Sequence, residues 1–561
     1  MKTKYDVCVI GSGAGGGAVA YELSRAGFNV AVLEKGKWFK EANFSKDELA
    51  VSKREIYSPN LKDEYHIIHV KEDGRYVRYD GREYSWSFWN GCIVGGASNF
   101  MSGYFHRLKP KDFRLRSIYG EIEGANIADW PISYEEMEPY YVKVEQVVGV
   151  SGKVKRHSFL EPRSTSEFPM PPLHENGVTQ WFDMACNKLG YEYIQTPRAI
   201  LSKDRKKRAS CYYSNFCGSY PCSSAAKGSA RAALLQPNGI KVITEAFVYN
   251  LESDAKRIKT AHYYDKNGLS HKIEAKIFVL AATPIESCRL LLNSKNTYFP
   301  HGLSNNTRQV GKNLIFSAGG SGSGTFKRLK LSKESFATLI QPGVFFNRSI
   351  QQWYEYEKEG KKYKGGTVDF LFEHANIIPR VKRQIWDEDG GIRWGRSLQK
   401  AIEEHVPNER RLNFEVFNDW LSTDGTFVSV DEKAKDKWGI PVASIYLDPH
   451  THDLEVGEFL AKKAINVLHR MGAENIQSDI SASPPSNLVA GGCRFGDDPK
   501  SSVLDRNCRS WEVENLYVSD ASFMPTGGSV PYTWSIYANA FRVADGIKKV
   551  LTGDSMKNLN F

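Results

Sequence analysis

Three groups of residues have types and spacing suited to chemistry. Gly11-Ser12-Gly13-Ala14-Gly15-Gly16 satisfies G-x-G-x-x-G. In that spacing the first glycine permits a tight turn, the second lets backbone approach a pyrophosphate, and the third lets helix and strand pack closely. Glu34 follows where an acid can accept the hydroxyls of a ribose. Cys211, Cys217 and Cys222 form the one dense cysteine group, and thiolates ligate soft iron well. Near the C-terminus, Asn515-Leu516-Tyr517-Val518-Ser519-Asp520 reads as a strand ending in an acid.

The elements around the first group fall in the required order. Tyr5-Asp6-Val7-Cys8-Val9-Ile10 is a short apolar run of the kind that makes a buried parallel strand. A helix of roughly 17–26 turns its N-terminal amides toward the phosphates, and the strand Asn29-Val30-Ala31-Val32-Leu33 delivers Glu34. This order predicts a dinucleotide site. A second glycine segment, Gly91-Cys92-Ile93-Val94-Gly95-Gly96-Ala97-Ser98-Asn99, suits backbone lying against a flavin ring, although a glycine turn alone could serve folding only. The chain then returns through Asp520, Ala521 to Ser529 and a helix from about Tyr532 to Asp545, which points to FAD rather than NAD.

At 561 residues, 41% hydrophobic and 25% charged, the composition is that of a globular chain too long for one core. The net charge of +10 is spread along the sequence. Its densest run, Lys203-Asp204-Arg205-Lys206-Lys207-Arg208, reads as a solvated loop. Basic motifs with interleaved aromatics are missing, which excludes nucleic acid binding. No apolar run of about 18 residues exists, which predicts no transmembrane segment. Met1-Lys2-Thr3-Lys4 leads straight into the first strand, so the expectation is a cytoplasmic protein, or one held at the periplasm or membrane through a partner that carries the export signal.

The chain resembles the glucose–methanol–choline (GMC) oxidoreductases. The resemblance rests on Gly11, Gly13, Gly16 and Glu34; on Val94-Gly95-Gly96-Ala97-Ser98-Asn99; on Ile277-Phe278-Val279-Leu280-Ala281-Ala282 with Thr283-Pro284-Ile285-Glu286-Ser287; and on Leu516 to Thr526. Asp129-Trp130-Pro131-Ile132-Ser133-Tyr134 and Glu138-Pro139-Tyr140-Tyr141 are similar to the branch of gluconate, glucose, fructose and glucoside dehydrogenase flavoprotein subunits. The resemblance implies an α/β protein with a Rossmann-like FAD-binding domain (1–134, 201–314 and 481–561) and a sheet-containing α+β substrate domain (135–200 and 315–480). It places the pyrophosphate at Gly11, Gly13 and Gly16, the ribose at Glu34, adenine near Val248, and the flavin against Gly96, Ser98, Asn99 and Asp520. It further implies a sugar, sugar acid or polyol substrate, hydride transfer to flavin N5, and electrons passed to a cytochrome, a quinone or an iron–sulfur partner, with a small accessory subunit or a cytochrome c alongside.

At the catalytic positions the sequence departs from the family. Its members take the alcohol proton with a histidine that opens a His-x-x-Gly-Thr-like segment. The equivalent here is Asn487-Leu488-Val489-Ala490-Gly491-Gly492, with Asn487 or Leu488 in the histidine's place. The thirteen histidines all lie at or before His469, and the partner position, within Ser529-Val530-Pro531-Tyr532, falls most simply on Pro531. A positioned base contributes about 10²–10⁴-fold to such a step, and an asparagine cannot accept the proton at neutral pH. Three readings stay open: His374, Glu415 or Tyr532 supplies a base; the substrate needs no strong base; or alcohol oxidation is lost and the flavin serves electron relay, assembly or another redox reaction. Asn487 and Tyr532 are expected to face the substrate in either of the first two.

The cysteine group is similar to a segment that holds a three-iron cluster in the glucose and fructose dehydrogenase branch, with a close but not identical spacing. An iron–sulfur cluster, a disulfide or plain structural thiols, and zinc are the alternatives, although zinc would want a fourth ligand. Cys493 and Cys508 read as buried small hydrophobes. Trp86, Phe88 and Trp89 read as core packing or as a wall of the cofactor site.

Overall fold

The structure is a computed structural model that describes residues 4–553 apart from 46, 49–54, 90, 176, 215–216, 219, 237–239, 317–318, 341–345, 374–376, 388, 482–483 and 485–487.

A seven-stranded sheet carries the N-terminal glycine turn. Its order is Lys241–Ile243, Val30–Leu33, Lys4–Ile10, Ser270–Leu280, Ile258–Tyr264, Phe247–Ser253, with Leu516–Val518 also paired to Ser270–Leu280. The four strands nearest the turn and Leu516–Val518 run parallel. Parallel strands are covered on both faces, and Val7, Cys8, Val9, Val32, Phe278, Val279 and Val518 are all completely buried. The helices Ala14–Arg25 and Thr533–Thr552 pack on each other over this sheet, with the Tyr21 and Phe541 rings edge to face at 6.3 Å.

A second sheet has six strands in the order Glu474–Asp479, Gly320–Lys327, Glu409–Asn418, Gly366–Phe372, Arg348–Ile350, Ile194–Gln195, all antiparallel. Alternation along Glu409–Asn418 sends Leu412, Phe414 and Val416 into a core shared with the helix Thr451–Arg470. That helix contributes Val456, Leu460, Ala464, Val467 and Leu468, the three-and-four spacing of a one-sided apolar stripe. Asn413, Glu415 and Phe417 alternate with that set along the strand.

The third sheet cuts across the expected division of the chain. Phe427–Lys435 and Pro441–Leu447, expected with the substrate domain, join Ile67–Glu72 and Arg75–Asp80, with Ser444 to Leu447 running parallel to Ile67 to Val70. Val428, Ala443, Ile445 and Leu447 bury into the first core rather than the second. The helix Tyr134–Val144 also packs on the first core: Tyr141 Oη lies 2.8 Å from Ser535 Oγ, and Trp534 Nε1 donates to the Tyr141 carbonyl at 3.2 Å. Among the described residues, no helix is long and apolar enough to cross a membrane.

Candidate functional site

The glycine turn works by close approach of backbone. Gly11 has φ +99°, and a Cβ there would lie 2.2 Å from the Ala281 carbonyl oxygen. At Gly16 a Cβ would meet the Gly11 oxygen at 2.0 Å, and at Gly15 the Ser519 oxygen at 2.1 Å. Gly13 is the exception, since a Cβ there would meet nothing within 4 Å. Its open side faces a cavity of about 410 Å³, which Gly11, Gly13, Glu34, Gly96, Ser98, Val248, Asp520 and Tyr532 all line. The structure thus gathers most of the expected cofactor residues around one space.

Glu34 reaches the turn rather than hanging free. The Ser12 amide donates to its Oε2 at 3.0 Å, the Ser12 hydroxyl donates to the same atom, and the Gly36 amide donates to Oε1 at 2.7 Å. Burial pushes its carboxyl above the usual range, opposed by these bonds. The Gly95 amide donates to Ser12 Oγ at 2.9 Å, which ties the second glycine segment to the first. Ser98 accepts from the Ala230 amide at 2.9 Å. Asn99 differs from expectation: its amide donates to the Val94 and Gly96 carbonyls at 3.1 and 2.9 Å, and its side chain shapes the turn without lining the cavity. Asp520 accepts from the Thr283 amide at 3.0 Å, the Ser287 hydroxyl at 2.5 Å and the Ser522 amide at 2.9 Å, and burial raises its carboxyl.

A buried charged network walls the nucleotide end, and motif spacing gave no sign of it. Lys35 pairs with Glu64, and its ammonium lies 4.2 and 4.9 Å from the Trp89 and Phe247 ring centres. Arg289 bridges Glu286 at 3.1 Å and Asp436 at 2.6 Å. Burial disfavours the Glu286 charge, but Arg289 and His66 hold its carboxyl down at about 2. The only linear hint was the adjacency of Lys35 to Glu34. These residues fit FAD: an open glycine face for pyrophosphate, an inward carboxylate for ribose, and an aromatic and cationic wall beyond it.

The cavity also reaches the second sheet at Leu371 and Glu415. Tyr532 lies here with its hydroxyl buried and, among the described residues, without a hydrogen-bond partner, and burial keeps its phenol well above its usual pKa. Leu488 lines the same region with φ +57°, a conformation that costs a branched side chain roughly 1–2 kcal/mol. Asn487 and His374 lie outside the described residues. Burial and the neighbouring Asp369 push the Glu415 carboxyl up to about 7, with Arg198 pulling the other way.

Cys211, Cys217 and Cys222 share one loop, close enough for Cys217 and Cys222 both to act on the Cys211 thiol. Among the described residues, no three His, Cys, Asp or Glu side chains stand close enough to hold a metal ion. The segment is instead organised around the Lys227 ammonium, which donates to the carbonyls of Asn99 at 3.1 Å, Cys217 at 2.6 Å and Tyr220 at 2.8 Å. The three sulfurs pack against Met170, Leu173, Ile200, Leu201 and Ala226. Burial pushes the Cys211 thiol up to about 12. At Cys222 burial is outweighed by Lys227 and Ser224, which leave that thiol below its usual value.

The chain matches a family model described as GMC oxidoreductase over residues 423–540 and one described as FAD dependent oxidoreductase over residues 6–46. It is 28% identical over 563 residues to 2-methyl-1,2-propanediol dehydrogenase of Mycolicibacterium austroafricanum, covering 97% of this chain and 95% of that one. The fructose dehydrogenase large subunit of Gluconobacter japonicus is 26% identical, with 97% of each covered, and the gluconate 2-dehydrogenase flavoprotein of Pantoea cypripedii is 24% identical, with 97% and 94% covered. Among solved structures, a variant of Aspergillus oryzae formate oxidase superimposes with a TM-score of 0.63 at 13% identity, covering 99% of each chain. Pyridoxine 4-oxidase from Mesorbium loti gives 0.61 at 16%, covering 97% of this chain and 99% of that one. At these identities the structural likeness speaks for the fold alone. With relatives matched end to end and both family models in the expected places, the chain is similar along its length to the GMC oxidoreductases and is an FAD-dependent oxidoreductase.

Proposed function

We propose that the protein is a dehydrogenase that oxidises a hydroxyl group on a sugar, sugar acid or polyol. The observation that carries this reading is the continuity of one cavity from the open face of Gly13 to Glu415 and Tyr532 on its far wall. The names of the relatives, a diol dehydrogenase and two sugar or sugar-acid dehydrogenase subunits, support the substrate class.

FAD, when bound, supplies the acceptor for a hydride at flavin N5. The chain's own residues do the rest. Ser12 and Gly36 hold Glu34 in place for the ribose, and Gly13 and Gly16 bring backbone to the pyrophosphate. Tyr532 stays protonated at neutral pH and donates to the substrate oxygen, orienting it. The apolar Leu371, Leu488 and Val489 exclude water from the reacting carbon. Electrons then leave to a cytochrome or quinone, with a small accessory subunit as the partner in keeping with the relatives named large subunit and flavoprotein.

One observation favours a second reading, in which the flavin serves relay or assembly. The segment that carries the family's histidine presents Leu488 to the cavity, and Pro531 stands at the partner position. Anaerobic mixing of the FAD-loaded protein with glucose, gluconate, fructose, sorbitol and glycerol separates the two. Bleaching of the flavin's visible absorbance by one of them is the expected result. Intact colour with all of them, in protein that retains FAD, refutes oxidation of this substrate class.

A further inference from the structure

Most of the carboxyls that line the cavity are already committed. Glu34 accepts from Ser12 and Gly36, Glu286 is paired with Arg289, and Asp520 accepts from Thr283, Ser287 and Ser522. Glu415 is the exception. It lies on the central strand Glu409–Asn418, directly across from Asp369 on one neighbour and Ser321 on the other. Asp369 is completely buried and engaged, with His106 Nε2 at 3.1 Å and the Ser349 hydroxyl donating to it. Among the described residues, none hydrogen-bonds the Glu415 carboxylate, which opens on the cavity.

We propose that Glu415 is the proton acceptor for the substrate hydroxyl, filling from the second sheet the role left empty where Asn487 or Leu488 stands in place of the family's histidine. The proposal rests on the alcohol-oxidising reading above. In the step, the substrate O–H bond breaks and its proton passes to a Glu415 oxygen. The C–H electron pair leaves as hydride, which the flavin accepts, and the C=O bond forms. One product carbonyl, a flavin two electrons richer and a neutral Glu415 result, and the carboxyl then returns its proton to solvent.

The surroundings suit that task. The groups facing Glu415 are Asp369 across the strand pair, the Arg198 guanidinium, the buried Tyr104 hydroxyl and, through Asp369, His106. Asp369 and burial raise the carboxyl into the range where a base both carries charge at neutral pH and binds a proton well. Tyr532, the other titratable group on this wall, holds its proton too tightly to compete.

Two measurements on the FAD-loaded enzyme test the assignment. Sulfite adds to flavin N5 as an anion and bleaches it, with no substrate or turnover needed. In wild type its affinity should fall roughly tenfold as pH rises through about 7, because a negative charge appears in the cavity. Sulfite itself ionises in the same range, so the quantity read is the ratio of wild-type to E415Q affinity at each pH, in which that ionisation cancels. A ratio that stays constant from pH 5 to 9 overturns the proposal.

For the hydroxyl compound that bleaches wild type, E415Q should slow anaerobic bleaching by about 10²–10⁴-fold and remove the rate limb near pH 7, while E415D keeps the limb. Equal rates and equal pH profiles in wild type and E415Q overturn the role of Glu415 alone. Where sulfite titrates as expected but no hydroxyl compound bleaches the wild-type flavin, the dehydrogenase reading fails, and the proton-acceptor role falls with it.

Discussion

Gly13 and Gly15 stand two residues apart in the same turn, yet a methyl group should do opposite things at the two positions. At Gly13, φ is −66° and the added Cβ meets no protein atom within 4 Å. As the N-cap of the helix it exchanges glycine for alanine at a cost of about 1 kcal/mol or less. The free protein should therefore fold almost as before. The methyl does fill the face offered to the pyrophosphate, and overpacking of a close contact costs about 1–3 kcal/mol. At 1.4 kcal/mol per factor of ten, FAD affinity should fall roughly five- to a hundredfold.

At Gly15 the methyl lands 2.1 Å from the Ser519 oxygen, 2.6 Å from its carbon and 3.0 Å from the Asp520 amide nitrogen. All three are backbone atoms of a buried strand end and cannot rotate away. Alanine gains about 1 kcal/mol of helix propensity, but pushing the helix Ala14–Arg25 off Asp520 costs more and opens the sheet at the cofactor site. Gly15→Ala should lower the urea midpoint of the FAD-free protein, whereas Gly13→Ala leaves it near wild type and shows its loss only in FAD titration. Unchanged FAD affinity in Gly13→Ala would mean that pyrophosphate does not rest on that backbone, and the placement of the cofactor in this cavity would be wrong.

Three further consequences can be measured directly. Glu415 has a folded-state pKa of about 7 against an ordinary 4.5, so the stability it contributes is present below pH 4.5 and lost as pH rises toward 7. Chemical denaturation should accordingly show E415Q gaining on wild type by roughly 3 kcal/mol between those limits, and a constant difference would remove the case for a raised carboxyl. Lys227→Met leaves the Asn99, Cys217 and Tyr220 carbonyls without their donor, at about 1–3 kcal/mol for each that water cannot reach, and thermal unfolding should register the loss together with weakened FAD retention through Asn99. Arg289→Met strands Glu286 and Asp436 without their guanidinium and should cost about 3–5 kcal/mol by urea denaturation, unless Asp436→Asn accompanies it and recovers part of the deficit.

How much could be read in advance follows from the range of the interactions involved. The turn around Gly11 to Gly16 and its acid Glu34 were legible because strand, turn, helix and strand are neighbours in the chain, so spacing alone fixes which groups meet. The return of Leu516–Val518 to the same sheet was legible from its apolar run and closing acid. The pairing of Pro441–Leu447 with Ile67–Glu72 was not, since both read as ordinary strands and only the complementarity of Ile68 and Ile445 with the first core decides their partner. Asn99 shows the converse error, a residue in the right segment whose side chain turns back to its own loop. The three cysteines invite a metal by composition, and the lysine that organises their loop lies five residues past the last of them. A cation held by carbonyls leaves no signature in side-chain type.

The two walls of the cavity differ in how much freedom they leave their polar groups, and this bears on the missing histidine. On the nucleotide wall, hydrogen bonds and ion pairs hold each acid in one position, which suits binding and orientation but leaves little capacity to take up a proton. Leu488 belongs to a loop whose backbone is held at φ +57°, so a base placed there would depend on a strained connection. Glu415 instead sits at the middle of a six-stranded sheet, with hydrogen-bonded strands on both sides fixing its Cα. A carboxyl whose backbone is rigid and whose oxygens accept no hydrogen bond from the described residues can exchange a proton without moving its neighbours, which is the condition a general base must meet. On that argument, loss of the histidine does not by itself end alcohol oxidation, and L488H should add little to the bleaching rate of wild type while restoring part of what E415Q loses.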